Sequence, residues 1–156
     1  MGQVTVSVEM AGPTDLVGAF FIPQRMPYWY GRDMESRVQV QRGAREFAEG
    51  LQVRIQGKLA NRDVSLIARV TAYERGRLLE WRFEDSYGVT GLQRWVIEAA
   101  GSGARVTVRD EFELPGWFGK IWGRLFTRPA VRARDRRDLE FLKRFVERTG
   151  LEGMRL

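Results

Sequence analysis

The chain has 156 residues, 44% of them hydrophobic and 12% aromatic, which is enough apolar material for the core of one domain spanning 1–156. It contains no Cys and no His, so disulfides, thiolate or imidazole catalysis and the usual zinc and haem ligands are excluded for this chain alone. The net charge is +6, carried almost wholly by Arg, since only Lys58, Lys120 and Lys143 of the 26 basic residues are Lys. Charge spread this evenly reads as a solvated surface, and attraction to nucleic acid or an anionic membrane is the competing sense.

No apolar run approaches the roughly 18 residues of a membrane span. The N-terminus alternates from Gln3 instead of showing a basic and then apolar leader, so cytoplasmic residence is expected. Gln3 to Met10 places Val4, Val6 and Val8 on one face, a strand. Ala11-Gly12-Pro13 breaks it, and Pro13 and Asp15 suit a helix start. Leu16, Val17, Ala19, Phe20 and Phe21 then form a short apolar helix. Pro23 and Pro27 restrict the next stretch to a second short helix or turns, ending in Pro27-Tyr28-Trp29-Tyr30-Gly31.

Asp33 to Gln41 alternates around Met34, Val38 and Val40 and reads as a second strand. Leu51, Val53, Ile55, Gly57 and Leu59 share the face of a third. Asn61-Arg62-Asp63 turns the chain into a strand carrying Val64, Leu66, Ala68, Val70 and Ala72. Arg75-Gly76-Arg77 turns it into another with Leu79, Trp81 and Phe83. After Gly88 and Gly91 come Leu92 to Ala99, the tight turn Gly101-Ser102-Gly103, and a last strand with Val106, Val108, Asp110 and Phe112 on one face. Strands recurring about every dozen residues with short turns predict an antiparallel meander.

Trp117 to Arg148 reads as a long amphipathic helical segment. Its apolar stripes are Phe118, Ile121, Trp122, Leu125 and Phe126, then Val131, Leu139, Leu142, Phe145 and Val146. They are out of phase by roughly a third of a turn. Pro129 lies between them, so a break or kink is expected near Thr127 to Pro129. Gly150 is the expected stop, and Glu140 with Arg144 at i,i+4 supports the exposed face.

The order is strand, two short helices, a meander and one long C-terminal helix. Three local patterns accompany it: Pro27-Tyr28-Trp29-Tyr30, Gly76-Arg77-Leu78-Leu79-Glu80-Trp81, and Asp138 to Glu147 in the final helix. From Val4 to Glu147 the chain resembles the START-like, helix-grip fold of the SRPBCC superfamily, whose bacterial members include polyketide cyclase/dehydrase and lipid transport proteins. The resemblance implies an α+β fold in which a curved antiparallel sheet of about six to seven strands wraps the C-terminal helix. It also implies an apolar pocket between them for a lipid, polyketide or quinone-like molecule. It carries over no catalytic motif, and nothing in it calls for a cofactor or metal.

Asp110 is the sharpest local anomaly. Alternation points it inward with Val106, Val108 and Phe112, and a buried carboxylate must be paired or protonated. It is either a ligand anchor or acid–base group, or it belongs to a salt bridge or bulge at the sheet end. Trp81, Phe83, Trp95 and Phe112 on the strands, Trp29 at the end of the short helices, where a core plug is the favoured sense, and Trp122, Leu125 and Phe126 on the helix are candidate pocket walls. Plain core packing is the bland reading of each. Tyr30 and Tyr87 are candidate hydroxyls at a pocket mouth.

The stretch Gly116 to Phe126 mixes aromatics, glycines and cations, and suits a membrane interface, a lid or a helix packed on the sheet. Arg132, Arg134, Arg136 and Arg137, interspersed with Asp135 and Asp138, read as an ordinary charged face. The leading expectation is a module that binds or carries a hydrophobic small molecule. The alternatives are a polyketide cyclase or dehydratase using Asp110 as acid or base, and a lipid carrier docking on anionic membranes. Nucleic acid comes last, and a monomer or homodimer is expected.

Overall fold

Alternation decides the strands. In β1 (Gly2–Met10) every second residue is buried, with Val4, Val6, Val8 and Met10 turned inward. The same period builds β2 (Arg37–Val40), β3 (Gln52–Leu59), β4 (Arg62–Glu74), β5 (Leu78–Asp85), β6 (Thr90–Ala100) and β7 (Gly103–Glu113). The structure is a computed structural model that describes residues 2–40, 43–59, 61–116 and 127–154.

The seven strands form one antiparallel sheet in the order β1-β7-β6-β5-β4-β3-β2. The chain meanders from β2 to β7, and β1 lies beside β7 at the far edge. Gly101 (φ 58°) and Asn61 (φ 63°) take the left-handed conformation that tight hairpin turns require. The β4–β5 register shifts between Val70 and Ala72, a bulge that increases local bending.

Between β1 and β2 lie a short helix α1 (Thr14–Gly18) and 3-10 turns at Met26–Tyr28 and Arg32–Met34. The long helix α2 (Arg128–Met154) crosses the inner face and packs chiefly over β1. It buries Val131, Asp135, Leu139, Leu142 and Val146, spaced at three and four residues as one helical face demands. Its far end is tied down by the Ala11 N–H, which donates to Glu147 Oε2 at 2.8 Å. This is the helix-grip arrangement.

Several expectations need correction. The second strand does not begin at Asp33. Gly31 (φ 61°) and Glu35 (φ 51°) bracket a 3-10 turn there, which moves the start of β2 to Arg37. The first apolar helix is shorter than expected. At Gly18 a Cβ would sit 2.6 Å from Gly76 Cα, and this close approach of the β4–β5 turn is where α1 ends. Phe20 and Phe21 follow in turns, still buried.

Helix α2 passes Gly150 and continues to Met154, because a single glycine costs only about 1 kcal/mol and does not by itself stop a helix. Arg144 lies over the Phe141 ring at 5.7 Å. The expected break near Pro129 coincides with the start of α2 at Arg128. There the Thr127 hydroxyl accepts from the Ala130 N–H at 3.3 Å, and Pro129 sits in the first turn, where its missing donor costs nothing. The stripe from Phe118 to Phe126 lies outside the described residues.

The core is aromatic. Trp81 and Trp95 meet edge to face at 4.9 Å, and Trp29 meets Phe21 at 4.9 Å and Trp95 at 6.2 Å. The Trp29 indole donates to the Phe20 carbonyl at 2.9 Å, so its one polar atom is satisfied.

Candidate functional site

Register places a polar row across the sheet. Trp81 of β5 lies opposite Gln93 of β6, and Gln93 lies opposite Asp110 of β7. Inward alternation turns all three toward α2, and Gln93 and Asp110 are 7% and 5% exposed. Gln93 Oε1 accepts twice, from the Trp81 indole at 2.8 Å and from the Tyr30 hydroxyl at 2.9 Å. With its oxygen occupied by two donors, the Gln93 amide has one sensible orientation. Its Nε2 donates to Asp110 Oδ2 at 3.2 Å.

The helix supplies the other half. Asp135 sits on the buried stripe, four residues after Val131 and four before Leu139, and is 6% exposed. Its carboxyl is hydrogen-bonded to that of Asp110. Two carboxyls can do this only when a proton lies between them. Gln93 already donates to Asp110, which favours Asp110 as the ionised member and Asp135 as the proton holder.

The electrostatics agree. Burial pushes Asp110 up to about 6, opposed by hydrogen bonds from Gln93 and Asp135 and by the Arg134 charge. Burial pushes Asp135 higher, to about 9, and the neighbouring Asp110 and Asp138 add to the rise. Burial also holds the Tyr30 hydroxyl well above its ordinary range, with Asp138 and Asp110 adding to it, so Tyr30 stays a neutral donor.

Arg134 lies among Asp135, Asp110 and Asp138; burial lowers its pKa and these carboxyls oppose the fall. Asp138 Oδ1 accepts from the Gly31 N–H at 3.2 Å, and burial raises its carboxyl well above the ordinary range. Asp135 Oδ2 is buried and has no hydrogen-bond partner.

These groups line one end of a cavity of about 100 Å³ between sheet and helix. Its walls are apolar: Val64, Leu66, Phe83, Phe112, Val131 and Met34. Asp85 also borders it, but its Oδ1 accepts from the Tyr87 and Val89 N–H groups at 2.9 Å each and so shapes the β5–β6 turn.

Of the residues singled out from sequence, Tyr30, Phe83, Asp110 and Phe112 come together around this cavity. Trp29, Trp81 and Trp95 pack in the aromatic core, and Trp81 reaches the site only through Gln93. The Tyr87 hydroxyl donates to the Asp63 carbonyl at 3.1 Å, away from the cavity wall. Trp122, Leu125 and Phe126 lie outside the described residues. Sequence reasoning passed over Gln93, Arg134, Asp135 and Asp138. Asp135 was findable, because it fills the gap in the Val131–Leu139–Leu142–Val146 stripe.

Residues 1–147 match the family described as polyketide cyclase/dehydrase and lipid transport. Known structures share the fold. A Rhizobium leguminosarum protein aligns with a TM-score of 0.71 at 16% identity, over 94% of this chain and 95% of that one. A Thermus thermophilus protein aligns at 0.68 with 20% identity, over 93% and 97%. DynU16, a protein in the dynemicin biosynthetic locus, aligns at 0.66 with 18% identity. That alignment covers 93% of this chain and 47% of DynU16, so the chain spans about half that protein's length. No curated protein gives a significant match. With the match running from residue 1 to residue 147, the chain belongs to the polyketide cyclase/dehydrase and lipid transport family.

Proposed function

We propose that this protein binds a small hydrophobic molecule in the cavity between sheet and helix, with the molecule's polar end at the Asp110–Asp135 pair. The observation that carries this reading is an otherwise apolar cavity into which Tyr30, Gln93, Asp110, Arg134, Asp135 and Asp138 converge. Apolar walls with a few convergent polar groups are the usual make-up of a ligand site.

Native mass spectrometry of freshly purified protein tests the reading. Excess mass that disappears on denaturation is the expected result. A bare chain of 18.0 kDa that takes up no lipid, quinone or polyketide from a panel would count against it.

The shared proton favours a second reading, acid–base chemistry on a polyketide-like substrate. The Asp110 carboxylate would take a proton next to a carbonyl, Asp135 would deliver one, and Arg134 would steady the developing enolate. Such a rate would rise as Asp110 ionises near 6 and fall as Asp135 ionises near 9. Turnover that survives Asp110→Asn would remove this reading and leave the binding one intact.

A further inference from the structure

We infer that the outer face of the sheet binds the phosphodiester backbone of nucleic acid, without regard to base sequence. The inference does not depend on the cavity. Arginines that the sequence spreads evenly are gathered on this face by strand register.

Arg37 of β2, Arg54 of β3, Arg69 of β4 and Arg82 of β5 alternate with inward residues such as Ile55, Ala68 and Trp81, so all four point away from α2, and all are exposed. Arg69 stands directly opposite Arg82. Arg54 lies opposite Ile67, two residues from Arg69, and Arg37 lies opposite Gln56, two residues from Arg54. Opposed side chains are about 5 Å apart at Cβ and diagonal ones about 7–8 Å, so the four form a diagonal row of roughly 20 Å. Arg94 and Arg109, opposite each other on β6 and β7, continue it.

The row lacks the acids found beside arginines elsewhere on the same face. Arg105 stands opposite Glu9 and pairs with it at 2.8 Å, and Arg94 stands opposite Glu80 and pairs with it at 3.1 Å. The cross-strand neighbours of the four are instead Gln39, Gln52, Gln56, Ile67, Leu92 and one another. None of the four forms an ion pair among the described residues. Of the acids flanking Arg82 along β5, Glu80 is held by Arg94 and by the Thr71 hydroxyl, and Glu84 subtracts one charge. Like charges directly opposite destabilise a sheet, so Arg69 against Arg82 carries a cost that an anionic partner removes.

The face fits a linear polyanion better than a lipid surface. Ile67 is its one exposed large hydrophobic residue among the described residues, so little is available to enter an acyl boundary. The strand aromatics Tyr73, Trp81, Phe83, Trp95 and Phe112 pack with the core, which leaves no outward ring on the described strands for a base to stack on. Binding therefore rests on phosphates and carries no sequence preference.

The test is fluorescence anisotropy of a short labelled DNA duplex of mixed sequence, titrated with the full chain over a salt series. Four arginines less Glu84 neutralise about three phosphates, so log K should fall against log salt with a slope of about −3, roughly a 60-fold loss between about 50 and 200 mM. Arg69→Gln with Arg82→Gln should bring the slope to about −1. The same pair of changes relieves the opposed charges, so the melting temperature should not fall. Arg54→Gln alone should take about one unit off the slope, whatever the double variant does to folding. Arg144→Gln with Arg148→Gln removes as much charge from the exposed side of α2 and should leave the slope near that of the original protein. An equal loss of slope in the two double variants would overturn the inference, because net charge and not this row would then be the attraction. Absence of duplex binding at low salt, or binding to phosphatidylglycerol vesicles without binding to the duplex, would overturn it as well.

Discussion

The same sheet and the same helix enclose two unlike regions. Toward the C-terminal half of α2 the inward residues are Ala68 and Val70 of β4, Leu79 and Trp81 of β5, and Trp95 and Ile97 of β6. Val106 and Val108 of β7 complete that face, and all of these are 5% exposed or less. Leu139, Leu142 and Val146 of the helix are buried completely against this end. One step along each element the character changes. The inward positions become Val64 and Leu66, Phe83 and Asp85, Gln93, and Asp110 and Phe112, faced by Val131, Asp135 and Asp138. The first region is apolar and buried throughout, and the second keeps a cavity and buries carboxyls beside it. Dry packing supplies the stability that makes the costly polar end tolerable. A site of this kind is sustainable only next to a region such as the aromatic core.

The sharpest way to break the comparison is to hollow the filled end. Trp95 touches Trp29, Trp81, Phe21 and Tyr30. Trp95→Ala should cost about 3–5 kcal/mol in denaturant unfolding, the range for a large aromatic removed from a rigid core. Next in size is the residue that joins the two regions. Gln93→Leu removes the acceptor of the Trp81 and Tyr30 donors and the donor to Asp110, and should cost about 2–4 kcal/mol. Because the Gln93 hydrogen bond holds Asp110 down, the same change should raise the Asp110 pKa above its present value of about 6, readable by carboxyl NMR titration. A Gln93→Leu protein as stable as the original would mean that the network contributes nothing.

The filled end was the more legible in the sequence. Period-two alternation gave the strands and their inward faces, with Trp81 and Trp95 as large apolar residues on them, and Trp29 read as a core plug after the short helices. The hollow end was legible only in part. Asp110 stood out because it broke an apolar strand face. Asp135 breaks an apolar helix face in the same way, but it sits in a run of arginines and aspartates whose local composition says surface. Gln93 gave no local signal, since its meaning depends on cross-strand register with Trp81 and Asp110. Register is a property of the assembled sheet and is weakly written in any one strand. The 3-10 turn that brings Met34 to the cavity was hidden by the alternation of its own apolar residues with polar neighbours.

Proton linkage separates the regions without disturbing packing. An unfolded Asp titrates near 3.9, whereas Asp135 in the fold is pushed to about 9 by burial and by Asp110. The folded state therefore holds a proton that the unfolded chain has lost. Asp135's contribution is fully present below the ordinary carboxylate range and is lost as pH rises toward about 9. Stability should fall by up to roughly 1 kcal/mol per pH unit across that window. Asp135→Asn cannot titrate, so its stability should fall less steeply and should exceed that of the original protein by about 1–3 kcal/mol at pH 8. Parallel stability–pH curves for the two proteins would place the raised titration elsewhere.

The smallest expected effect is the most telling about the cavity. Leu66 borders it and is only partly buried, so truncation removes little packing. Leu66→Ala should cost about 1 kcal/mol, less than the 2–5 kcal/mol of a Leu→Ala change in a closed core, because some of its surface never left solvent. The space released is continuous with space already empty. A guest should fill it, so a hydrophobic ligand found by the panel should gain affinity for the variant when lengthened by one methyl group. Ala68 lies two residues along the same strand face, at the filled end, and is fully buried. The reverse change there, Ala68→Leu, adds volume where none is free and should cost about 1–3 kcal/mol through overpacking. A penalty at position 66 as large as that at position 68 would show that the hollow end is as tightly constrained as the core. The distinction between a packed floor and a receptive mouth would then lose its basis.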